Sequence, residues 1–461
     1  MCFTSKKVAH ILYVSFLCIN TIVMKKLFFI LLLLAAFINV NGQQDTSHKS
    51  KMQWFSNAKL GIFIHWGIYS TGRGSESWEF HNGHTSHKDY MLQLNEFNAD
   101  KYNPAEWVSI IQNTGAKYVV ITSKHHDGVA LWDTKLNNLS TKKSTPCKQD
   151  VLTPFVKEVR KTDLKLGLYY SLIDWTSNDY PGFLRDSSRY NIADEPKRWE
   201  KFMKFNKGQI SEIISLFNPD LIWFDGDWEH SAEEWDAEGI RNMILKNNPK
   251  AIINGRLQGY GDYATPEQHI PITRPDKENW ELCMTMNESW GYYITDTAYK
   301  TPYEIISIFV DCISLGGNLL LDIGPKADGT IPEEQLYIMH ELGEWNKKHN
   351  EAVFESVPGL PLGHFYGPTT VSKDSTIIYL FLQGHQSGNV IIKGLENDIK
   401  SIEVVGTNQS VPFNIVGKIS WSKVPGIVYI NVPEGVQDKY MTVLKVNLDG
   451  KLSLYRGEGG L

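Results

Sequence analysis

Between about residue 55 and about residue 350, apolar runs of strand length alternate with segments of helical period. Residues 60–67 read as a first strand, 104–116 as a helix with Trp107, Ile110 and Ile111 at helical spacing, and 117–123 as a second strand. The alternation continues with helix 150–162, strand 164–171, helix 197–217, strand 221–225, helix 237–248 and strand 251–254. Helix 301–315, strand 318–323 and helix 332–349 complete it. Repeated strand–helix units set their strands parallel, because each helix carries the chain back to the same edge from which the next strand starts. Their number favours an α/β fold closed as a (β/α)8-like, TIM-type barrel over an open sheet. Residues 257–279 break the pattern with several prolines and few apolar runs, which predicts a long loop at the barrel mouth. After about residue 354 the helical period is lost, and short β-rich runs at 376–382, 389–392, 401–405 and 427–432 predict a C-terminal antiparallel β-sandwich. The expected organisation is a leader over residues 1–42, a barrel over 43–353 and the sandwich over 354–461.

The leader reading rests on Met24-Lys25-Lys26, an apolar run over 27–37 and Gly42 at its end. A basic start, a short apolar stretch and a small residue describe a secretory signal. Met24 is then the true start, although a second apolar stretch over 10–23 leaves an N-terminal anchor as the alternative. The run at 27–37 is too short to span a bilayer, so export to the periplasm or the exterior is expected, without membrane insertion of the mature protein. Of the five Cys, Cys2 and Cys18 fall in the leader. Cys147, Cys283 and Cys312 are odd in number and lack CxxC spacing, which argues against a disulfide framework or a zinc knuckle. Lys+Arg 46 against Asp+Glu 52 gives a net charge of −6 with no basic block, which argues against nucleic acid as a partner.

The chemistry-bearing residues cluster at strand ends. In Asp220-Leu221-Ile222-Trp223-Phe224-Asp225-Gly226-Asp227, side-chain alternation puts Leu221, Trp223 and Asp225 on one face. An acid at the C-terminal end of a barrel strand sits where such folds carry catalysis; the structural alternative is a capping Asp for the next helix. His65 and Trp66 close the first strand, His125-His126-Asp127-Gly128 follow the second, Tyr169-Tyr170-Ser171 end the third, and Arg256 follows the fifth. HxH, HExxH, GxSxG and Gly-rich phosphate motifs are all missing, so no metal and no cofactor is expected. Neutral imidazoles donate to and accept from hydroxyls, and the 14 Trp and 21 Tyr suit the apolar face of a sugar ring. Paired carboxylates about 5–5.5 Å apart are what a retaining glycosidase needs. Asp225 is the natural nucleophile; Glu267, Glu281 and Glu288 are the candidates for the acid, and spacing alone does not choose among them. Glu267 is placed first, because a carboxyl on a mouth loop can close over substrate and lose water, which raises its pKa, and Glu281 second.

Five segments in order carry a resemblance: Phe63-Ile64-His65-Trp66-Gly67, Ser123-Lys124-His125-His126-Asp127-Gly128, Leu168-Tyr169-Tyr170-Ser171, Leu221-Ile222-Trp223-Phe224-Asp225 and Gly316-Gly317-Asn318-Leu319-Leu320-Leu321-Asp322-Ile323-Gly324-Pro325. The chain resembles the α-L-fucosidases of glycoside hydrolase family 29. The resemblance implies Asp225 as nucleophile and Glu267, within Gly261-Asp262-Tyr263-Ala264-Thr265-Pro266-Glu267, as acid/base. It also implies a sugar pocket of His65, His125, His126 and Tyr169, with Trp223 and Arg256 beside the nucleophile and Trp290 against the C5 methyl of fucose. Many members carry Glu-Trp after the first strand, whereas this chain has Ser77-Trp78 between Glu76 and Glu79. Trp78 carries over; the resemblance does not choose between the two acids. The implied substrates are fucosylated oligosaccharides or glycoconjugates. The alternatives are an exo-glycosidase for a related sugar such as α-L-galactose and a non-catalytic glycan-binding protein. The sandwich is expected to brace the barrel rather than bind glycan.

Overall fold

The computed structural model describes residues 49–419, 421, 424–455 and 457. The expected leader, with Met24 as start, lies outside them. Two units divide the chain, Met1–Gln53 and Trp54–Leu461. In the first, the described residues 49–53 are helical.

The second unit opens with the alternation read from the sequence. Its main elements are β1 (Leu60–Ile64), α1 (Pro104–Asn113), β2 (Tyr118–Lys124), α2 (Leu152–Val159), β3 (Lys165–Ser171), α3 (Pro196–Phe217), β4 (Leu221–Asp225), α4 (Ala237–Asn247) and β5 (Ile252–Ile253). β6 (Glu281–Thr285), α5 (Pro302–Ser314), β7 (Asn318–Ile323) and α6 (Glu333–Lys348) follow. Prolines at the first turn start α1, α3 and α5, where a missing N–H costs nothing. Thr301 and Glu304 add a capping box to α5. The strands form one parallel sheet in the order β5-β4-β3-β2-β1-β7-β6. Nearly every strand residue is buried, as a sheet covered on both faces requires.

The sequence reading of 257–279 as loop needs one correction. Asn254 pairs with Tyr263, Ala264 with Trp280 and Glu267 with Cys283, all in parallel, so residues 262–268 stand between β5 and β6 as an irregular eighth stave. Asp262 N donates to Ile253 O (2.7 Å), while Glu281 N and Cys283 N donate to Ala264 O (2.9 Å) and Pro266 O (3.1 Å). Pro266 has no N–H to give, which keeps the ladder from becoming regular. No helix is assigned among residues 248–301, so the chain enters and leaves this stave without the helices that a strict (β/α)8 repeat would place there.

Beyond α6 lie β8 (Ser356–Pro358), β9 (Thr369–Ser372), β10 (Ile377–Leu382), β11 (Asn389–Lys393), β12 (Ile399–Val404), β13 (Phe413–Val416), β14 (Ile427–Asn431) and β15 (Thr442–Leu448). Two antiparallel sheets result, β8-β9-β10-β15-β12 and β11-β14-β13. The period of two decides what each face of β10 meets. Ile378, Leu380 and Leu382 join the core between the sheets, whereas Tyr379 and Phe381 join the core of the barrel. Trp345 of α6 donates its indole N–H to Met441 O (3.0 Å), and Tyr379 and Lys445 both bond Glu351 (2.9 and 2.7 Å). The sandwich thus packs against the barrel wall. Among the described residues no helix is long and apolar enough to cross a membrane.

Candidate active site

A cavity of about 410 Å³ opens at the C-terminal ends of the barrel strands. The nucleophile candidate Asp225 ends β4, where two donors fix it: Tyr169 OH to Oδ2 (2.9 Å) and Arg256 Nη1 to Oδ1 (2.9 Å). His126 Nε2 stands 3.6 Å from Oδ2. Gly226 then turns the chain with φ +83, a conformation that a side chain disfavours, and a Cβ there would meet Ile173 at 2.6 Å. The other Nη of Arg256 bonds Glu267, so one guanidinium carries both carboxylates. Its planar fork is suited to holding two acids at once. Burial alone would lower the Arg256 pKa; the neighbouring negative charges, Asp225 foremost, outweigh it and hold it above the ordinary value. The same guanidinium lies 4.6 Å over the Trp223 ring, a cation–π contact.

The walls combine aromatic faces with imidazoles. Tyr169 stacks on Trp223 (5.6 Å, 22°) and on His125 (5.6 Å, 9°). Trp290 packs 5.0 Å from the His65 ring. His65 Nδ1 is joined to Asp322 of β7 (2.7 Å), His125 Nδ1 to Ser77 Oγ (2.8 Å) and His126 Nδ1 to Ser171 Oγ (2.6 Å). Burial holds all three histidines well below their ordinary pKa, so they are neutral near pH 7. Burial likewise raises Asp322, and Tyr169 is raised by burial and then by Asp225. β2 ends at Lys124, so strand alternation does not extend to the two following histidines, and their rings lie 4.3 Å apart.

His65, Trp78, His125, Tyr169, Trp223, Asp225, Arg256, Glu267 and Trp290 line the cavity together. His126 stands behind them, close to Asp225. Glu281 is elsewhere: fully buried on β6, it accepts from Trp223 Nε1 (2.9 Å), Tyr118 OH and Tyr263 OH (3.5 Å). Burial pushes its carboxyl up to about 7 against those three donors. It holds the tryptophan from inside the barrel rather than facing the cavity. Glu288 is exposed and also outside the lining. Of the two acids flanking Ser77-Trp78, Glu76 lines the cavity and accepts from Gly291 N, while Glu79 lies off it, 3.7 Å from His84. Phe63, Asp227 and Trp228 are lining residues that sequence reasoning missed. Phe63 shares the β1 face of His65 by alternation, and the other two directly follow Asp225-Gly226, so both signals were present. Among the described residues no group of three or more His, Cys, Asp or Glu is placed to hold a metal ion.

Comparison with known proteins meets this geometry. The alpha-L-fucosidase family model matches residues 39–351. The alpha-L-fucosidase of Dictyostelium discoideum is 31% identical over 337 residues, spanning 66% of this chain and 72% of that protein. Alpha-L-fucosidase isoenzyme 1 from Paenibacillus thiaminolyticus has a similar structure, with a TM-score of 0.78 at 28% identity, covering 87% of this chain and 100% of that one. A family-29 alpha-L-fucosidase from Bacteroides thetaiotaomicron, solved as a trapped covalent intermediate with 2-fluoro-fucosyl fluoride, has a TM-score of 0.76 at 25% identity, covering 87% and 96%. The matched stretch contains every residue that lines the cavity, from Phe63 to Trp290, and the structural likeness extends into the sandwich. This chain belongs to the alpha-L-fucosidase family of glycoside hydrolases.

Proposed function

We propose that the protein is a retaining exo-α-L-fucosidase, removing terminal α-L-fucose from fucosylated oligosaccharides or glycoconjugates by double displacement. The observation that carries this reading is the single guanidinium of Arg256 shared by Asp225 and Glu267 at the cavity. Two acids gathered so closely suit the short separation of a retaining pair. Asp225 attacks the anomeric carbon while Glu267 protonates the departing oxygen, giving a covalent glycosyl-enzyme. Glu267 then takes a proton from water, which attacks the same carbon and releases fucose with its original anomeric configuration. With Nδ1 of each ring already bonded to Asp322, Ser77 or Ser171, neutral His65, His125 and His126 each keep one ring nitrogen, Nε2, to donate to or accept from a sugar hydroxyl. Trp290, on the loop after β6, meets the C5 methyl, and Trp78 is a further aromatic wall of the cavity. The leader reading adds that the enzyme works outside the cytoplasm, with barrel residues 43–353 catalytic and residues 354–461 bracing them.

Incubation with 2-fluoro-fucosyl fluoride, followed by peptide mass spectrometry, tests the central assignment. The label is expected on Asp225, and the first anomer seen by NMR during turnover is expected to be α. A label on any other side chain, or an initial β-anomer, overturns the mechanism. N-terminal sequencing of the exported protein tests the leader.

A further inference from the structure

We propose that Trp228 forms the platform on which the sugar next to the fucose rests, so that the enzyme selects substrates whose leaving group is itself a pyranose. The inference rests on the fucosidase reading above and extends it to the leaving-group side. Trp228 lines the cavity and is 49% exposed, so one part of its indole faces the cavity and another faces solvent. It is also held firmly. Trp228 lies three residues after the nucleophile, in a short turn (Asp227–Glu229) whose last residue is anchored below: Glu229 accepts from Trp175 Nε1 (3.0 Å) and Tyr180 OH. Asp227 accepts from Gln258 N (2.7 Å) and pins the other end of the turn. Trp78 lies nearly parallel to Trp228 (6.3 Å, 16°) and meets Trp175 edge-on (5.0 Å). An aromatic surface left half in water on a rigid support gives contact area at little entropic cost on binding.

Position and chemistry point to the leaving-group sugar. The fucose side of the cavity already has its aromatic contacts in Trp223 and Trp290, whereas Trp228 stands at the solvent edge, on the turn that follows Asp225. A group leaving from C1 projects out of the cavity toward solvent, the side on which Trp228 is exposed. The apolar C–H face of a pyranose fits an indole face, and the Asp227 carboxylate beside it is an acceptor for hydroxyls at the ring's rim.

The test compares α-L-fucosyl fluoride, whose leaving group is a single fluoride ion, with a trisaccharide bearing fucose on galactose. In Trp228→Ala the ratio of the two kcat/KM values should shift roughly tenfold against the trisaccharide, the size of one lost aromatic contact. Inhibition by free fucose, which reports the inner site, should change much less than this ratio. Trp228→Phe should restore most of the trisaccharide rate, because it keeps an aromatic face. Equal losses on both substrates, or a ratio that moves less than twofold, would overturn the platform. Wild-type protein that cleaves neither substrate would instead refute the fucosidase reading itself.

Discussion

Asp225 and Glu267 share one guanidinium, yet they hang from different kinds of backbone. β4 is paired along its whole length with β3, from Gly167–Leu221 to Ser171–Asp225. Where β5 stops, the Asn254 side chain replaces the next rungs: its Oδ1 accepts from Phe224 N and its Nδ2 donates to Phe224 O, both at 2.8 Å. The stave beneath Glu267 has only isolated pairings, a proline just before the acid and no flanking helix. The Asp225 side chain is 12% exposed and that of Glu267 38%. A nucleophile forms a bond to one carbon and gains from being fixed. An acid/base must serve first a departing oxygen and then an incoming water, so access to solvent and some freedom belong to its task.

That contrast is open to attack in descending order of effect. Asp225→Ala should lower turnover of aryl α-L-fucosides by about 10⁴-fold or more while leaving fucose binding measurable by calorimetry. If the fixed strand is dispensable, the variant stays active. Glu267→Ala should lose about 10²–10⁴-fold on oligosaccharides. It should lose less where the leaving group needs no proton, and added azide should restore turnover as fucosyl azide. A uniform loss without azide rescue would remove Glu267 from the acid/base role.

Glu281→Gln probes the support under β4. Because Glu281 acts through Trp223 and Arg256, rates should fall by up to about 10²-fold, equally for good and poor leaving groups and without azide rescue. Its ionisation adds a stability test. The carboxyl moves from 4.5 to about 7 on folding, so between these values unfolding releases a proton and stability falls as pH rises. Below that window both states are protonated and above it both are ionised. Wild-type Tm should therefore decline more steeply than that of the variant from about pH 4.5 to 7; parallel curves would contradict the raised value. The smallest effect belongs to the stave itself. Pro266→Gly adds unfolded-chain freedom worth about 0.4–1 kcal/mol. Local loosening of that size should slow oligosaccharide cleavage about two- to fivefold, with labelling of Asp225 by 2-fluoro-fucosyl fluoride nearly unchanged. A slower labelling rate would mean that the two supports are coupled.

Much of this is legible in the sequence alone, for physical reasons. Strands buried on both faces are continuous apolar runs, which is why β4 and β7 fall where the sequence places them. Helix starts carry local marks, such as Asn103-Pro104 and Thr301-Pro302 with Glu304. The convergence of His65, Tyr169, Asp225 and Arg256 followed from strand ends sharing one mouth. Less legible was the eighth stave, whose prolines and interrupted pairing look like loop in a linear reading. Glu76 and Glu79 were equally opaque, because a short helix at Trp78–His81 decides which of them faces the cavity.

The linear sequence therefore determined the repeating parallel architecture, the sandwich after it and the acid at the end of β4, since periodicity and strand-end position are local properties of the chain. Only the tertiary structure decided which glutamate shares Arg256 with Asp225. Glu267 and Glu281 lie on adjoining staves, but the first reaches Arg256 at the cavity and the second turns inward to three buried donors. That choice depends on which neighbours surround each carboxylate in space, and no spacing along the chain encodes it.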